Sequence, residues 1–285
     1  MLPAQTAISR ARRGITLGLV VRGLLWLAAI ASVASAPLLK GGPDFRLALL
    51  VVGAVWVMLA MRSARLDRLN ADLPQLLAGG HFDAAEQQID RTLRAFSLFR
   101  PGKLQALHQL SVLRMAQGRF DDVAVICREL LSHRLAGLAG VSRSTGLMLA
   151  QASLEIGDLA SAGAAIATVR QGQPSLAELM QLLVLELDYQ SRQSHWQAML
   201  DGFMSKAQLA EVMPSGPSAR VQGLLALAAM KCGRDDVALW LRRRAELLAD
   251  PADLVSRQPA LAEVWPECRR ESKPTGDTGH PPVES

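Results

Sequence analysis

The sequence predicts an all-α protein in two parts: an N-terminal transmembrane helical hairpin, followed by an α-solenoid of about five helix pairs. Three observations lead to this fold class. Two long apolar runs lie within the first 65 residues, and a short motif recurs at a nearly fixed period after them. Only 4% of the residues are aromatic, in a chain rich in Leu, Ala, Arg and Gln, and this composition favours helices over strands.

The apolar runs cover residues 15–36 and 47–61, and the turn-forming sequence GGPD lies between them. The first run is long enough to cross a hydrocarbon core of about 30 Å, with its one charge, Arg22, extending toward the headgroups. The second run is short; extending it to residues 45–62 brings it close to the length needed, and local thinning of the bilayer would cover the remainder. Neither run has a polar face, which disfavours the alternative of two core helices in a soluble protein. Residues 1–65 are therefore predicted to form a membrane anchor.

The charge distribution predicts the topology of this anchor. Residues 1–70 carry nine Lys and Arg against two Asp, a net charge of +7, whereas the whole chain has +5 and the remainder therefore −2. Basic residues flank both sides of the hairpin: Arg10, Arg12, Arg13, Arg62, Arg65 and Arg68. The positive-inside bias then places both ends in the cytoplasm, and removal of the first run as a signal peptide, near Ala34, would give the same topology. Without a cluster of positive charge beyond the anchor, nucleic acid is not an expected partner.

A six-residue motif recurs five times, and its copies begin 38, 39, 37 and 39 residues apart. The copies are GHFDAA (80–85), GRFDDV (118–123), GDLASA (157–162), SHWQAM (194–199) and GRDDVA (233–238). A fixed period of this length indicates a solenoid. Each copy lies between two helical runs, and its small first residue is expected to end the first helix with a positive φ. The bulky third residue is expected to fill the space between the helices, and the small sixth residue to let them approach closely.

The residues assigned to this repeat signature are Gly80, Phe82, Ala85, Gly118, Phe120, Val123, Gly157, Leu159, Ala162, Trp196, Gly233 and Ala238. The pattern resembles the tetratricopeptide repeat over roughly residues 66–250. Departures from the family's pattern are Ser194 in place of Gly, Asp235 in place of the aromatic residue, and Pro74 within the first helix of copy one. Residues 251–266 are predicted as a capping helix that completes a repeat domain over 66–266.

The resemblance implies two antiparallel helices in each unit and a concave groove, lined by the first helices, that binds a protein or peptide. The family's inward positions lie about 13, 10 and 6 residues before each Gly. Counting back in this sequence gives the polar groove candidates Gln105, His108, Ser144, Gln151, Gln181, Asp188 and Arg220. Residues 267–285 are polar and rich in Pro and Gly, which predicts a disordered tail.

The sequence predicts no catalytic, cofactor or metal site. Its five His residues form neither an HExxH motif nor a pair four residues apart. The three cysteines lack CxxC spacing, so neither a disulfide framework nor a zinc site is expected, and a reducing compartment fits best. GVSRSTG (140–146) departs from the GxSxG nucleophile motif, and RPGKL (100–104) lacks the first half of a phosphate loop. Both segments are predicted as loops between helices.

The function expected from these features is that of a membrane-anchored cytoplasmic scaffold at the inner membrane, without enzymatic activity or cofactor, that binds protein partners. The layout also resembles bacterial inner-membrane proteins of the HemY type, which are associated with haem biosynthesis. The alternative is a regulatory or accessory subunit of a membrane enzyme or transporter complex, acting through the hairpin residues Arg22, Trp26 and Trp56. The identity of the partner, the pathway and the oligomeric state are not predicted by the sequence.

Overall fold

Every regular element that the computed structural model describes is a helix, which confirms the predicted all-α class for the described part of the chain. The described residues are 2–35, 50–61, 63, 72–97, 99–133 and 139–268. The chain divides into two compact units, Met1–Ala165 (unit 1) and Ile166–Ser285 (unit 2).

Unit 1 begins with the long helix α1, which is followed by shorter helices joined in pairs. The helices are α1 (Ala4–Ser35), α2 (Leu50–Met61), α3 (Leu73–Ala78), α4 (Phe82–Arg94), α5 (Arg100–Ala116), α6 (Phe120–Ser132), α7 (Ala139–Glu155) and α8 (Leu159–Gln171), the last of which crosses into unit 2. Helix α3 has only six residues, with Pro74 in its first turn, as expected for a residue that lacks a backbone N–H.

The first half of α1 belongs to the core of unit 1. Helix α1 packs against α4, α5 and α6, and its residues form one apolar cluster with buried leucines and isoleucines of those helices. The buried α1 residues in this cluster are Leu2, Ala4, Ala7, Ile8, Ala11 and Ile15. The sequence analysis had assigned all of residues 1–65 to the anchor and had begun the first apolar helix at residue 15. The structure shows instead that one helix runs through both regions, because small and aliphatic side chains recur on one face of its first turns.

Beyond Ile15, α1 is apolar and mostly exposed, and by length and composition it is the one described helix able to cross a membrane. Helix α2 is a shorter apolar helix. The indole rings of Trp26 and Trp56 meet edge to face, with centroids 6.4 Å apart, so α1 and α2 are in contact. The predicted loop between the two runs, and residues 45–49 of the second, lie outside the described residues.

Unit 2 is centred on a buried helix. Its remaining helices are α9 (Leu176–Arg192), α10 (Trp196–Leu200), α11 (Phe203–Glu211), α12 (Ser215–Lys231), α13 (Asp235–Leu248), α14 (Pro251–Arg257) and a 3₁₀ helix (Pro259–Glu263). Helix α12 packs against α9, α10, α11 and α13, and its residues from Ser218 to Ala229 are buried almost without exception. A helix that is apolar all round its middle turns is expected at the centre of a helical layer.

The structure corrects the two predicted loops and revises the fourth helix pair and the C-terminal cap. Residues 140–146 lie within α7, and residues 100–104 form the first turn of α5, so neither segment is a loop. The second helix of the fourth pair is divided into α10 and α11 at Gly202, whose φ is +64°. The predicted cap over 251–266 consists of the short α14 and the 3₁₀ helix. From residue 269 onward, the predicted tail lies outside the described residues.

Candidate partner-binding surface

All five motif copies form the same backbone turn between two helices. The first residue of each copy has a positive φ: 72° at Gly80, 68° at Gly118, 80° at Gly157, 58° at Ser194 and 70° at Gly233. In every copy the amide of this residue donates to the carbonyl three residues earlier, at 3.0–3.1 Å. The next amide donates to the carbonyl five residues earlier, at 2.8–2.9 Å. This pair of hydrogen bonds is the Schellman motif, which satisfies the last carbonyls of a helix while the chain reverses.

The other signature positions lie between the helices. The third residues Phe82, Phe120, Leu159 and Trp196 are half-buried. The sixth residues Ala85, Val123 and Ala162 are fully buried, and so is Met199 of the fourth copy, whereas Ala238 is half-buried. A fully buried small side chain at this position lets the second helix lie close to the first, as two tightly packed helices require.

In unit 1 the groove candidates of α5 and α7 remain accessible and form what we call the polar surface of unit 1: Gln105, His108, Ser144 and Gln151. Gln151 is exposed, and the other three are half-buried. Lys103 and Arg114 are eleven residues apart, just over three turns of helix, so they share one face of α5, and their side chains contact α4 and the start of α1. Gln105 and His108 lie on the opposite face. Docking of α1 therefore uses one face of α5 and leaves the other available.

The imidazole of His108 has a defined tautomer at this surface. Its Nδ1 lies 3.2 Å from the hydroxyl oxygen of Thr145, and that hydroxyl donates to the carbonyl of Val141 at 2.7 Å. Because the hydroxyl proton is used in the second hydrogen bond, Nδ1 is the donor in the first and Nε2 is left as an acceptor. Burial lowers the pKa of His108, which keeps the ring neutral at neutral pH. The surface thus presents amides, a hydroxyl and a neutral imidazole.

In unit 2 two groove candidates, Asp188 and Arg220, contact other parts of the chain, which corrects their prediction as groove positions. Asp188 is 2% exposed and accepts hydrogen bonds from Arg192 Nε at 3.1 Å, Arg220 at 3.0 Å and Gln258 Nε2 at 2.9 Å. Arg220 Nε donates to Gln258 Oε1 at 2.6 Å. These two residues bind the chain's own C-terminal segment, Asp250–Cys268, and so they are not open groove positions. Gln181 remains exposed.

The C-terminal segment also covers the neighbouring turn of α12. A Cβ added to Gly223 would lie 3.3 Å from Trp265 and 3.4 Å from Leu261, so a larger residue here would require these side chains to shift. Both Leu261 and Trp265 are fully buried, and the indole Nε1 donates to Glu246 of α13 at 2.8 Å. The segment therefore covers one face of α12. This is the face on which the sequence had predicted a groove.

Ion pairs that no sequence pattern predicts hold the start of α1. The fully buried Arg114 donates to Glu86 Oε1 at 2.9 Å and to the carbonyl of Leu2 at 2.6 Å, while the amide of Leu2 donates to Glu86. Arg12 forms two hydrogen bonds with Glu129, at 2.7 and 2.5 Å, and Arg10 pairs with Asp90. Arginine and carboxylate match well in such paired geometry.

These contacts set the pKa of the carboxylates. Burial raises the pKa of Glu86, but the hydrogen bonds from Arg114 and Leu2 outweigh it and bring the pKa below the ordinary value. The hydrogen bonds from Arg12 lower the pKa of Glu129. No local pattern marks these pairs, because the partners are up to 117 residues apart.

Lys103 and Lys206 serve a common structural purpose that the sequence does not reveal. Lys103 Nζ donates to the carbonyls of Thr92, Leu93 and Ala95, at 2.8, 2.7 and 2.5 Å. A side chain of α5 thus satisfies carbonyls at the C-terminal end of α4. Lys206 donates to two carbonyls near the end of α10, at 3.1 and 2.9 Å. Burial lowers the pKa of Lys103 to about 8. A cation at the last carbonyls of a helix also interacts favourably with the helix dipole.

The described residues contain no group of three His, Cys, Asp or Glu side chains that could hold a metal ion. Cys127 is fully buried, and burial raises the pKa of its thiol to about 12, so it is a poor nucleophile. The chemistry offered by the described surface is that of polar and apolar contact. Comparison of the chain with protein-family models, with curated proteins and with solved structures finds no match.

Proposed function

We propose that the protein is a membrane-anchored scaffold, in which α1 and α2 form a transmembrane hairpin and the helix pairs form a solenoid of the tetratricopeptide-repeat type. One observation carries the proposal: α1 is a single helix, docked in unit 1 up to Ile15 and apolar and exposed beyond it. From residue 16 to the end of α1 there are 20 residues, which span about 30 Å and match the hydrocarbon core of a bilayer.

The docking of α1 supports a scaffold whose repeats have a fixed position at the bilayer. A flexible linker would let the repeats move freely, whereas here Arg12, Arg114 and the apolar side chains bind one end of the membrane helix to three repeat helices. The basic residues on this side of the hairpin agree with a location on the cytoplasmic side of an inner membrane.

The polar surface of unit 1 is the proposed site for a protein or peptide partner. Four positions on two neighbouring first helices offer donors and acceptors together with half-buried aliphatic surface, which suits an extended or helical peptide. In unit 2 the C-terminal segment covers the corresponding positions, so unit 1 is the better candidate.

The test uses the full-length chain, since removal of residues 1–65 would take away part of the core of unit 1. A photoreactive amino acid is placed at Gln105 or Gln151, with Gln87, an exposed glutamine on α4, as the matched control. After irradiation of intact membranes, we expect the same partner to be crosslinked from both positions on the polar surface and not from position 87.

Crosslinks from position 87 alone, or from none of the three positions in a correctly anchored protein, would contradict a partner at this surface. A photoreactive residue at Trp56 distinguishes the alternative function. If it captures a membrane protein while Gln105 and Gln151 capture none, the chain acts as an accessory subunit through its hairpin.

A further inference from the structure

We propose that the segment between α4 and α5, of which the structure describes residues 95–97 and 99, rests on the bilayer surface together with Arg94 before it and Arg13 of α1, and binds anionic lipid headgroups. We call this segment the headgroup loop. The inference rests on the proposed function in one respect, namely that α1 and α2 lie in the membrane. The sequence analysis assigned the segment no role.

Helix α1 contacts Lys103, the side chain that binds the start of the headgroup loop. Gly14 lies in the last docked turn of α1, and a Cβ added there would be 3.0 Å from Cε of Lys103. The ammonium group of Lys103 donates to the carbonyl of Ala95 at 2.5 Å, as well as to two carbonyls in the last turn of α4. One buried lysine thus joins the loop to the point at which α1 leaves unit 1.

The second end of the hairpin touches the same loop. Ser63 follows the last residue of α2 by two positions, and its hydroxyl oxygen lies 3.0 Å from that of Ser97. Both serines are buried, at 1% and 6% exposure. The Ser97 hydroxyl donates to the carbonyl of Phe99 at 2.8 Å, which ties the loop to itself at this contact. Both ends of the hairpin therefore converge on the headgroup loop.

This position fixes the distance of the loop from the hydrocarbon core. The first exposed large apolar side chain of α1 beyond Gly14 is that of Leu17, three residues later, at 53% exposure. Three residues of helix rise by about 4.5 Å. The headgroup region on each side of a bilayer is about 5–7 Å thick, from the difference between the whole bilayer and its core. If Leu17 faces lipid, the headgroup loop lies among the headgroups.

The side chains of the loop suit that environment. Phe99 is 38% exposed and offers an apolar ring at the boundary of the core. The side chain of Arg94 is 64% exposed, and its one described partner is Asp90 at 2.7 Å. Arg13, next to Gly14 on α1, is exposed as well. Guanidinium groups bind phosphate with two parallel hydrogen bonds, and each basic residue near an anionic leaflet contributes about 1 kcal/mol to attraction.

The experiment places an environment-sensitive fluorophore on single cysteines of the full-length protein in vesicles. Cys232 and Cys268 are replaced by serine, and the buried Cys127 is retained. The test positions are Phe99→Cys and, as a second loop position, Arg94→Cys. The matched control is Ile156→Cys, because Ile156 is 37% exposed and lies at the end of α7. Leu24→Cys, at 60% exposure on α1, reports on the anchor itself.

The vesicles contain phosphatidylcholine and phosphatidylglycerol, with a quencher attached either to the headgroup or deep in the acyl chain. We expect the loop probes to lose most of their fluorescence with the headgroup quencher and the Leu24 probe with the deep quencher. The Ile156 probe should keep its fluorescence with both. Omitting phosphatidylglycerol, or adding Arg94→Gln to the Phe99 probe, should reduce quenching in the loop, whereas Arg128→Gln on α6 should not.

The outcomes separate the two proposals. If the deep quencher does not affect the Leu24 probe, the membrane anchor itself is contradicted. If the Leu24 probe is quenched but both loop probes behave like Ile156, the headgroup loop is contradicted while the anchor stands. Quenching in the loop that is the same without phosphatidylglycerol would overturn the recognition of anionic lipid. Protection of the loop probes from both quenchers by a bound protein would make the loop a protein interface instead.

Discussion

Units 1 and 2 share the same turns and helix pairs but differ in how a terminal segment covers them. In unit 1 the covering element is the start of α1, held by the buried pair of Arg114 and Glu86. In unit 2 it is the C-terminal segment, held by Trp265 and by the hydrogen bonds of Gln258 to Asp188. Each terminal segment buries apolar side chains of the helices in its own unit.

The difference lies in which face is covered. In unit 1, α1 uses the face of α5 that carries Lys103 and Arg114, so the polar surface of unit 1 stays accessible. In unit 2 the C-terminal segment uses the predicted groove positions Asp188 and Arg220. Repeat spacing therefore predicts which helix faces are equivalent, and the terminal segments determine which of these faces remain accessible.

The largest effect is expected from Arg114→Ala, which should destabilise unit 1 alone. Removal of the guanidinium leaves the Glu86 carboxylate and the carbonyl of Leu2 without their buried partner, and the loss of one member of a buried ion pair costs about 3–5 kcal/mol. Hydrogen exchange resolved along the chain should show lost protection in α1, α4 and α5, and unchanged protection in α12 and α13.

Arg128→Ala is the matched control, since Arg128 forms an exposed ion pair with Asp158 that should contribute less than about 1 kcal/mol. Equal effects of the two substitutions would show that α1 is not held by the buried pair.

Acid offers a second way to release α1. Because the pKa of Glu86 and that of Glu129 are lowered in the folded protein, their stabilisation is present above about pH 4.5 and is lost as the pH falls through the folded values. Protection of α1 should follow that decline.

A smaller effect, confined to unit 2, is expected from Gln258→Ala. The substitution removes hydrogen bonds to Asp188 and from Arg220, and a hydrogen bond to a charged group contributes about 1.5–3 kcal/mol. Hydrogen exchange should rise in α14 and the 3₁₀ helix while unit 1 is unaffected. Gln208→Ala, at an exposed glutamine on α11, should leave exchange unchanged. If Gln258→Ala has no effect on the C-terminal segment, then Trp265 holds it without help from the Asp188 network.

The sequence predicted the turns and a cap at the C-terminal end, but neither the docking of α1 nor the face that the C-terminal segment covers, for physical reasons. A position with a left-handed backbone after a helix strongly favours glycine, so four of the five turns can be recognised in the sequence by a glycine at a regular spacing. The docking face of α1 is made of small residues such as Ala7 and Ala11 next to three arginines, a pattern that also suits the flank of a membrane helix. Full burial of Arg114 and Lys103 is contrary to the usual behaviour of charged residues, and their partners are distant in sequence.

The groove illustrates the same limit. Asp188 and Arg220 occupy inward positions by repeat spacing, and nothing in their neighbourhood in the sequence indicates that Gln258, 70 residues after Asp188, binds both. Local periodicity determines which face of a helix a residue occupies. Whether that face meets solvent depends on long-range contacts that no motif of the sequence encodes.

The smallest effect tests the feature that the two units share. Ser194 is the one non-glycine residue among the five turn positions, and a left-handed backbone costs a non-glycine residue about 1–2 kcal/mol. Ser194→Gly should therefore stabilise unit 2 by about 0.5–1 kcal/mol, since the greater flexibility of glycine in the unfolded chain offsets part of the gain.

Gly233→Ala, in the next turn, should change the stability by a similar amount in the opposite direction. A Cβ there would meet no atom within 4 Å, so only the backbone conformation is penalised. Thermal unfolding of both variants beside the parent measures the pair, and a Ser194→Gly variant less stable than the parent would show that the serine side chain, rather than the backbone, determines this turn.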